Sequence, residues 1–232
     1  MSSPKNFEQR RVIRATWGRQ SLQHGFKVAF FLGRPPEEHL QRKVLAEDAS
    51  YKDIIQGDFA DSYRNLSIKS VIMVRWISKF CPKTSFLLKI DDDVLLSIWD
   101  LAAAAKEREG TKRTIWGYRY TGSLPHRRNT SKWYVPESVF PLEKYPDFVA
   151  GPSYLMTGDS APLLAEFCVT VPYLYLEDVF LTGLVAEKAR VRRLSDNGLC
   201  NYRKVLIPCI RPRMITSHGY HPADLNTSWN TM

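Results

Sequence analysis

Short apolar runs alternate along the chain with longer segments in which apolar residues recur every three or four positions, and this alternation sets the expected elements. Residues 6–18 put Phe7, Val12, Ile13 and Trp17 on one helical face, with Gly18 as terminator. Residues 27–33, Lys-Val-Ala-Phe-Phe-Leu-Gly, end at Gly33 before Pro35-Pro36, the pattern of a buried strand entering a loop. A helix is predicted over 37–51, a short strand over 53–56 and a long, mostly buried helix over 63–80 that stops at Cys81-Pro82. Residues 86–90, Phe-Leu-Leu-Lys-Ile, make a third apolar strand that runs straight into Asp91-Asp92-Asp93.

The pattern continues with a helix over 101–109, a strand over 114–120, an extended piece over 153–156 and a helix over 160–167. A further helix opens at Glu177-Asp178 and runs through Lys188, and the tail from Cys200, with Pro208, Pro212 and Pro222, reads as irregular. Residues 121–143, containing Gly122, Pro125, Pro136 and Pro141, read as a long surface loop, a length that usually marks function or disorder. Strand alternating with helix predicts an α/β fold with a mainly parallel central sheet flanked by helices. No repeat or linker interrupts it, so residues 1–232 are expected to form a single domain.

Composition supports a folded chain: 44% of positions are hydrophobic and 25% charged. No window approaches the ~18 uninterrupted apolar residues of a membrane span, and the N-terminus lacks the apolar core of a signal peptide. A net charge of +9 favours phosphate-bearing small molecules, polyanions or membrane surfaces. The basic residues are scattered and carry no nucleic-acid-binding signature, so nucleic acid is not the expected partner. Asn65-Leu-Ser67, Asn129-Thr-Ser131 and Asn226-Thr-Ser228 satisfy the N-glycosylation triplet, which matters only in the secretory pathway. Cys81, Cys168, Cys200 and Cys209 fit neither a zinc site nor a redox motif; disulfides and buried thiols are both open.

Three carboxylates at the C-terminal end of a buried strand are the sharpest chemical feature. Side chains alternate along an extended chain, so Asp91 and Asp93 point one way and suit a hard cation, while Asp92 points the other. The alternative is a solvated acidic turn, but three adjacent like charges exceed what a turn requires, which favours the metal. Glu177-Asp178 taken alone reads as helix capping; beside a metal site it supplies a carboxylate able to deprotonate a hydroxyl. His218 is either a third metal ligand or a surface imidazole. No nucleophile elbow, Walker motif or dinucleotide fingerprint is present, which removes serine hydrolases, P-loop enzymes and ordinary dinucleotide oxidoreductases.

Taken in order, Arg10-Arg-Val-Ile-Arg-Ala-Thr-Trp-Gly18, Phe30-Phe-Leu-Gly33, Asp58-Phe-Ala-Asp-Ser-Tyr-Arg-Asn-Leu-Ser67, Lys89-Ile-Asp-Asp-Asp-Val94, Lys132-Trp-Tyr-Val135, Tyr145-Pro146, Glu177-Asp-Val179 and Ile215-Thr-Ser-His218 resemble the animal β-1,3-glycosyltransferases of the β-1,3-galactosyltransferase type. The resemblance runs from about residue 8 to Trp229. It implies a GT-A-type nucleotide-sugar-binding domain and inverting transfer of galactose or N-acetylglucosamine from a UDP-sugar to the 3-hydroxyl of an acceptor sugar on glycoprotein or glycolipid. The alternative is a catalytically inactive carbohydrate-binding homologue. A Golgi location with the catalytic part in the lumen is also implied, the membrane being met only through an N-terminal anchor that this chain lacks.

On that resemblance Asp93, assisted by Asp91, and His218 hold Mn²⁺ against the donor diphosphate, and Asp178 is the base that Glu177 orients. Asp91, Asp92, Arg14, Lys69 and Gly117 are implied in donor binding; for Arg14 and Lys69 a structural ion pair is the competing reading. Trp116 and Lys132-Trp133-Tyr134 resemble segments near the sugar pocket. The chain departs from the family at Val149-Ala-Gly-Pro-Ser-Tyr154, where a Cys-Ser-Gly-x-Gly-Tyr segment is usual; Cys81 thereby loses its implied partner, and Cys200 with Cys209 becomes a candidate for closing a short loop.

Overall fold

The computed structural model describes residues 1–204 and 213–231. The backbone groups into two compact units, each assembled from separate stretches of chain.

The first unit comprises Met1–Tyr63, Lys89–Gly110 and Asn197–Met232. It opens with α1 (Phe7–Ala15) and α2 (Trp17–Gln23). The single helix expected over 6–18 is broken at Thr16, whose backbone leaves the helical region (φ −111°, ψ −118°) while its hydroxyl bonds back to the Val12 carbonyl at 2.7 Å. Gly18 therefore lies inside α2, where a Cβ would come within 2.6 Å of the Ile13 carbonyl oxygen; only glycine lets the two helices turn this tightly. Next come β1 (Phe30–Arg34), α3 (Glu38–Tyr51) and β2 (Ile54–Ala60), with β1 and β2 paired in parallel from Phe30↔Ile54. Beneath them Arg10 is fully buried, and its guanidinium meets the Glu47 carboxylate at 2.6 Å.

After the three aspartates come β4 (Val94–Leu96) and α5 (Ile98–Glu107), whose N-cap Ser97 accepts from the Asp100 amide at 3.3 Å. The tail, expected to be irregular, supplies two elements. Thr216–His218 is a strand, here β8, antiparallel to β4 in the register Val94↔His218, Leu95↔Ser217 and Leu96↔Thr216. Pro222–Trp229 is α8, with proline at the first helical position, where its missing N–H costs nothing.

The second unit comprises Arg64–Leu88 and Thr111–Asp196. Its sheet runs β3 (Phe86–Ile90), β6 (Phe148–Thr157), β5 (Thr114–Tyr120), β7 (Arg192–Ser195), flanked by α4 (Leu66–Phe80) and α6 (Ser160–Phe167). β5 is antiparallel to β6 and parallel to β7. The expected α/β class with helices flanking a sheet holds; among the described strand pairs β1–β2 and β5–β7 are parallel and β4–β8 and β5–β6 antiparallel. β6 starts five residues ahead of the expected piece. Gly117 pairs with Tyr154 and Arg119 with Val149, so residues 150–153 bulge out of the ladder, which is how Pro152 fits into a strand.

A π-helix, Val179–Val185, continues into α7 (Ala186–Lys188), completing the helix expected through Lys188. The long loop is held by Arg127, whose guanidinium donates to the carbonyls of Val135, Phe140 and Leu142 at 2.8–3.0 Å. Among the described residues no helix is long and apolar enough to cross a membrane. Cys81 and Cys168 are thiols; Cys200 is buried with its Sγ on the Asn197 carbonyl; Cys209, and with it the loop closure considered for Cys200, lies outside the described residues.

Candidate active site

In the first unit the three aspartates point to three different sets of partners. Asp91 Oδ1 accepts from Lys89 Nζ at 2.6 Å. Asp92 Oδ2 accepts from Ser2 Oγ at 2.5 Å and Asn6 Nδ2 at 3.0 Å, tying the N-terminal segment down. Asp93 Oδ2 meets His218 Nε2 at 3.2 Å. The register of β4 with β8 causes that meeting, and the Asp93 carbonyl reinforces it by accepting from the amides of Gly219 and Tyr220 at 3.0 and 2.9 Å.

His218 Nδ1 lies 3.3 Å from the Asn201 carbonyl, which only accepts, so Nδ1 carries the proton and Nε2 is left to bind a proton or a metal. Burial pushes the Asp93 carboxyl up, but the hydrogen bond and charge of His218, with Lys89 further off, hold it below the ordinary carboxylate value. The hydrogen bond to Asp93 raises His218 in turn, against the opposing effect of burial, with the charges of Asp93 and Asp91 adding to it.

The other Asp93 oxygen, Oδ1, is buried and has no hydrogen-bond partner among the described residues. A buried carboxylate oxygen without a donor, next to an imidazole nitrogen, is the donor set a divalent cation fits. Among the described residues no three or more of His, Cys, Asp and Glu gather into a cage, so Asp91, Asp93 and His218 are not a preformed three-ligand set. The Asp93–His218 pair is a two-residue donor set.

Of the basic candidates, Arg14 is engaged within its own unit. The Arg14 guanidinium bonds both oxygens of Asp53 at 2.7 and 2.8 Å and Glu47 at 2.6 Å, and lies 4.0 Å from the centre of the Tyr51 ring. Lys69 sits in α4 and is 2% exposed.

In the second unit the Phe180 amide bonds to the Leu176 carbonyl at 2.8 Å, so Glu177 and Asp178 form the first turn of the helix. Glu177 is buried, and its Oε1 accepts from Ser70 Oγ and Tyr154 OH, both at 2.7 Å. Asp178 is half-buried, with Oδ1 accepting from the Val179 amide at 2.9 Å. Thr182 Oγ1 donates to the Asp178 carbonyl at 2.6 Å and accepts from the Val149 amide at 3.0 Å, fastening the helix to β6. Gly151, in the β6 bulge, runs beside both acids: a Cβ there would lie 3.4 Å from Glu177 Oε2 and 3.6 Å from Asp178 Oδ2. Tyr145 is buried, and its hydroxyl has no hydrogen-bond partner among the described residues.

Gly117 is set by packing, since a Cβ would fall 2.8 Å from that of Val149 on the paired strand. Ser70, Thr182 and the hydrogen-bonding role of Tyr154 went unread in the sequence. Ser70 lies 107 positions from Glu177, and a hydroxyl on a buried helix looks like any small core residue.

The chain belongs to the galactosyltransferase family, whose sequence profile matches residues 8–197. It is 36% identical to the lactosylceramide 1,3-N-acetyl-beta-D-glucosaminyltransferase of Rattus norvegicus, over 98% of this chain and 63% of that protein. Identity to beta-1,3-galactosyltransferase 2 of Homo sapiens is 32% over 99% of this chain and 56% of that protein. For beta-1,3-galactosyltransferase 1 of Mus musculus the figures are 32%, 98% and 71%. The chain thus spans less than two thirds of the length of the first two. A solved glycosyltransferase involved in glycosylation of the major capsid of PBCV-1 superposes at a TM-score of 0.48 and 12% identity, over all of this chain and 97% of that one, a level that carries no argument.

Proposed function

We propose that the protein is an inverting β-1,3-glycosyltransferase that moves galactose or N-acetylglucosamine from a UDP-sugar to the 3-hydroxyl of an acceptor sugar on glycoprotein or glycolipid. The reading rests on family membership, and the observation that carries it is the Asp93–His218 pair, whose other carboxylate oxygen is buried without a donor among the described residues. Asp93 and His218 Nε2 would hold Mn²⁺, with Asp91 acting through water. When bound, the cation supplies Lewis-acid stabilisation of the charge on departing UDP.

Asp178 takes the proton of the acceptor 3-hydroxyl as that oxygen bonds to the anomeric carbon. The carbon–oxygen bond to the diphosphate breaks, and its electron pair leaves with UDP. One such displacement turns an α-linked donor into a β-linked product. Glu177, held by Ser70 and Tyr154, fixes the first helical turn from which Asp178 projects. Asp92, Arg14, Lys69 and Gly117 are assigned to the donor-binding part of the site. Both units together make one catalytic domain, acting in the Golgi lumen.

The test is a screen of UDP-galactose and UDP-N-acetylglucosamine against β-linked acceptors with Mn²⁺, reading UDP release and product linkage. Turnover by the native chain, with loss in Asp178→Asn at unchanged UDP affinity, supports the reading. Absence of turnover with every donor and acceptor would sink it.

A further inference from the structure

The proposed reaction leaves the three N-glycosylation triplets unused, and the backbone presents them differently. In the first, Asn65 is half-buried at the N-cap of α4, and the required hydroxyl, that of Ser67, is fully buried and donates to the Leu174 carbonyl at 2.6 Å. In the third, Asn226 lies inside α8, its carbonyl accepting from the Asn230 amide, on the wall of a groove of about 480 Å³ shared with Arg11 and His221.

The second lies outside any helix, and although Asn226 is exposed as well, only here is the exposed asparagine in a turn. Asn129 and Thr130 are both exposed at the tip of a turn that the Ser131 amide closes on the Arg128 carbonyl at 3.1 Å. Ser131 Oγ accepts from the Trp133 amide at 3.2 Å, which leaves the hydroxyl proton available. An exposed turn offers the asparagine amide to an enzyme cleft and leaves its backbone able to adapt there, whereas a helix holds the asparagine backbone in its own hydrogen bonds and a buried first turn hides the hydroxyl.

We propose that Asn129 is a glycan attachment site and that Asn65 and Asn226 stay unmodified, an inference that rests on the luminal location proposed above. Asn129 Nδ2 bonds to C1 of an oligosaccharide carried on a lipid diphosphate. The C1–oxygen bond breaks, its electron pair leaves with the lipid diphosphate, and the amide gives up one proton.

The experiment expresses the whole chain behind a secretion leader, with one added glycosylation triplet in a C-terminal tag, and treats the secreted fraction with a glycosidase specific for N-linked sugar. The tag glycan reports contact with the luminal machinery whether or not the chain transfers sugar, so it separates this inference from the enzymatic reading. The expected result is one glycan beyond that of the tag, lost in Asn129→Gln and Ser131→Ala and kept in Ser131→Thr, Asn65→Gln and Asn226→Gln. A native chain bearing the tag glycan alone, or one whose extra glycan survives Asn129→Gln, overturns the proposal.

Discussion

Asp93 reaches His218 Nε2 at 3.2 Å with one carboxylate oxygen while its other oxygen stays buried without a hydrogen bond among the described residues. A lone buried acceptor gains most from a cation. Asp93→Ala is expected to weaken Mn²⁺ binding at least about 100-fold and His218→Ala at least about 10-fold, since even residues one step removed from a metal typically cost 10–100-fold. Calorimetric titration of Mn²⁺ in the presence of UDP measures both; an unchanged affinity in Asp93→Ala removes the residue from the site.

The same pair sets a pH window. His218 is raised above its ordinary 6.5, so its contribution to stability is complete below that value and is lost as pH rises through the raised one. Asp93 is lowered below 3.8, so its contribution is complete above that value and is lost as pH falls through the lowered one. The pair therefore stabilises the fold most between about 4 and 6.5. If His218 holds the proposed metal, proton and metal compete for Nε2, and Mn²⁺ affinity is expected to climb with pH until His218 is neutral. An NMR titration of the His218 ring should give a midpoint above 6.5 that drops in Asp93→Asn; no drop would mean that the coupling is absent.

Glu177 depends on two hydroxyls. Removing either by Tyr154→Phe or Ser70→Ala leaves a buried carboxylate short of a donor, at about 1–3 kcal/mol of stability each. Urea unfolding checks this. A cost below about 0.5 kcal/mol for both variants would show that neither bond matters.

Tyr145 predicts the opposite sign. Burial holds its phenol up at about 12, with Arg127 acting against it and the charge of Asp178 assisting, and its hydroxyl lacks a hydrogen-bond partner among the described residues. Tyr145→Phe deletes a polar atom that was already desolvated, so thermal melting should show equal or higher stability, by about 1 kcal/mol. A clear loss would reveal a bond made by that hydroxyl.

Gly117→Ala forces a methyl onto Val149 across the β5–β6 pair and should cost about 1–3 kcal/mol. UDP affinity of the surviving folded fraction distinguishes a packing role from donor contact: a packing role leaves it unchanged.

The parts of this architecture that local pattern encodes were legible. Apolar runs marked β1 and β3, the run of aspartates marked the end of β3, and Glu177-Asp178 marked the start of a helix. What escaped were elements made by distant partners. β8 is Thr-Ser-His, with no apolar residue to announce it, and becomes a strand because β4 offers it a ladder; β7, Arg-Arg-Leu-Ser, is an edge strand of the same kind. β6 was hidden because Gly151-Pro152 look like a breaker and are in fact the bulge beside the two acids. The helix over 6–18 was misread because periodicity does not register a single residue, Thr16, leaving helical dihedrals. For the site, the family resemblance, rather than residue type alone, singled out Asp93, His218 and Asp178 as a set, while the separate partners of Asp91, Asp92 and Asp93 are made in a turn that periodicity does not describe.

The π-helix that follows Asp178 carries a different kind of information from any side chain. Each π-turn holds more residues than an α-turn, and each residue in an α-helix advances about 100° around the axis. The heading of Asp178 relative to the helix anchored on β6 through Thr182 is therefore written in the number of residues between them. Deleting one of Val179, Phe180 and Leu181 would remove no acid and yet swing the carboxylate about a quarter turn relative to the Thr182 anchor. In this segment a length change is a change of chemistry, while many conservative substitutions are not.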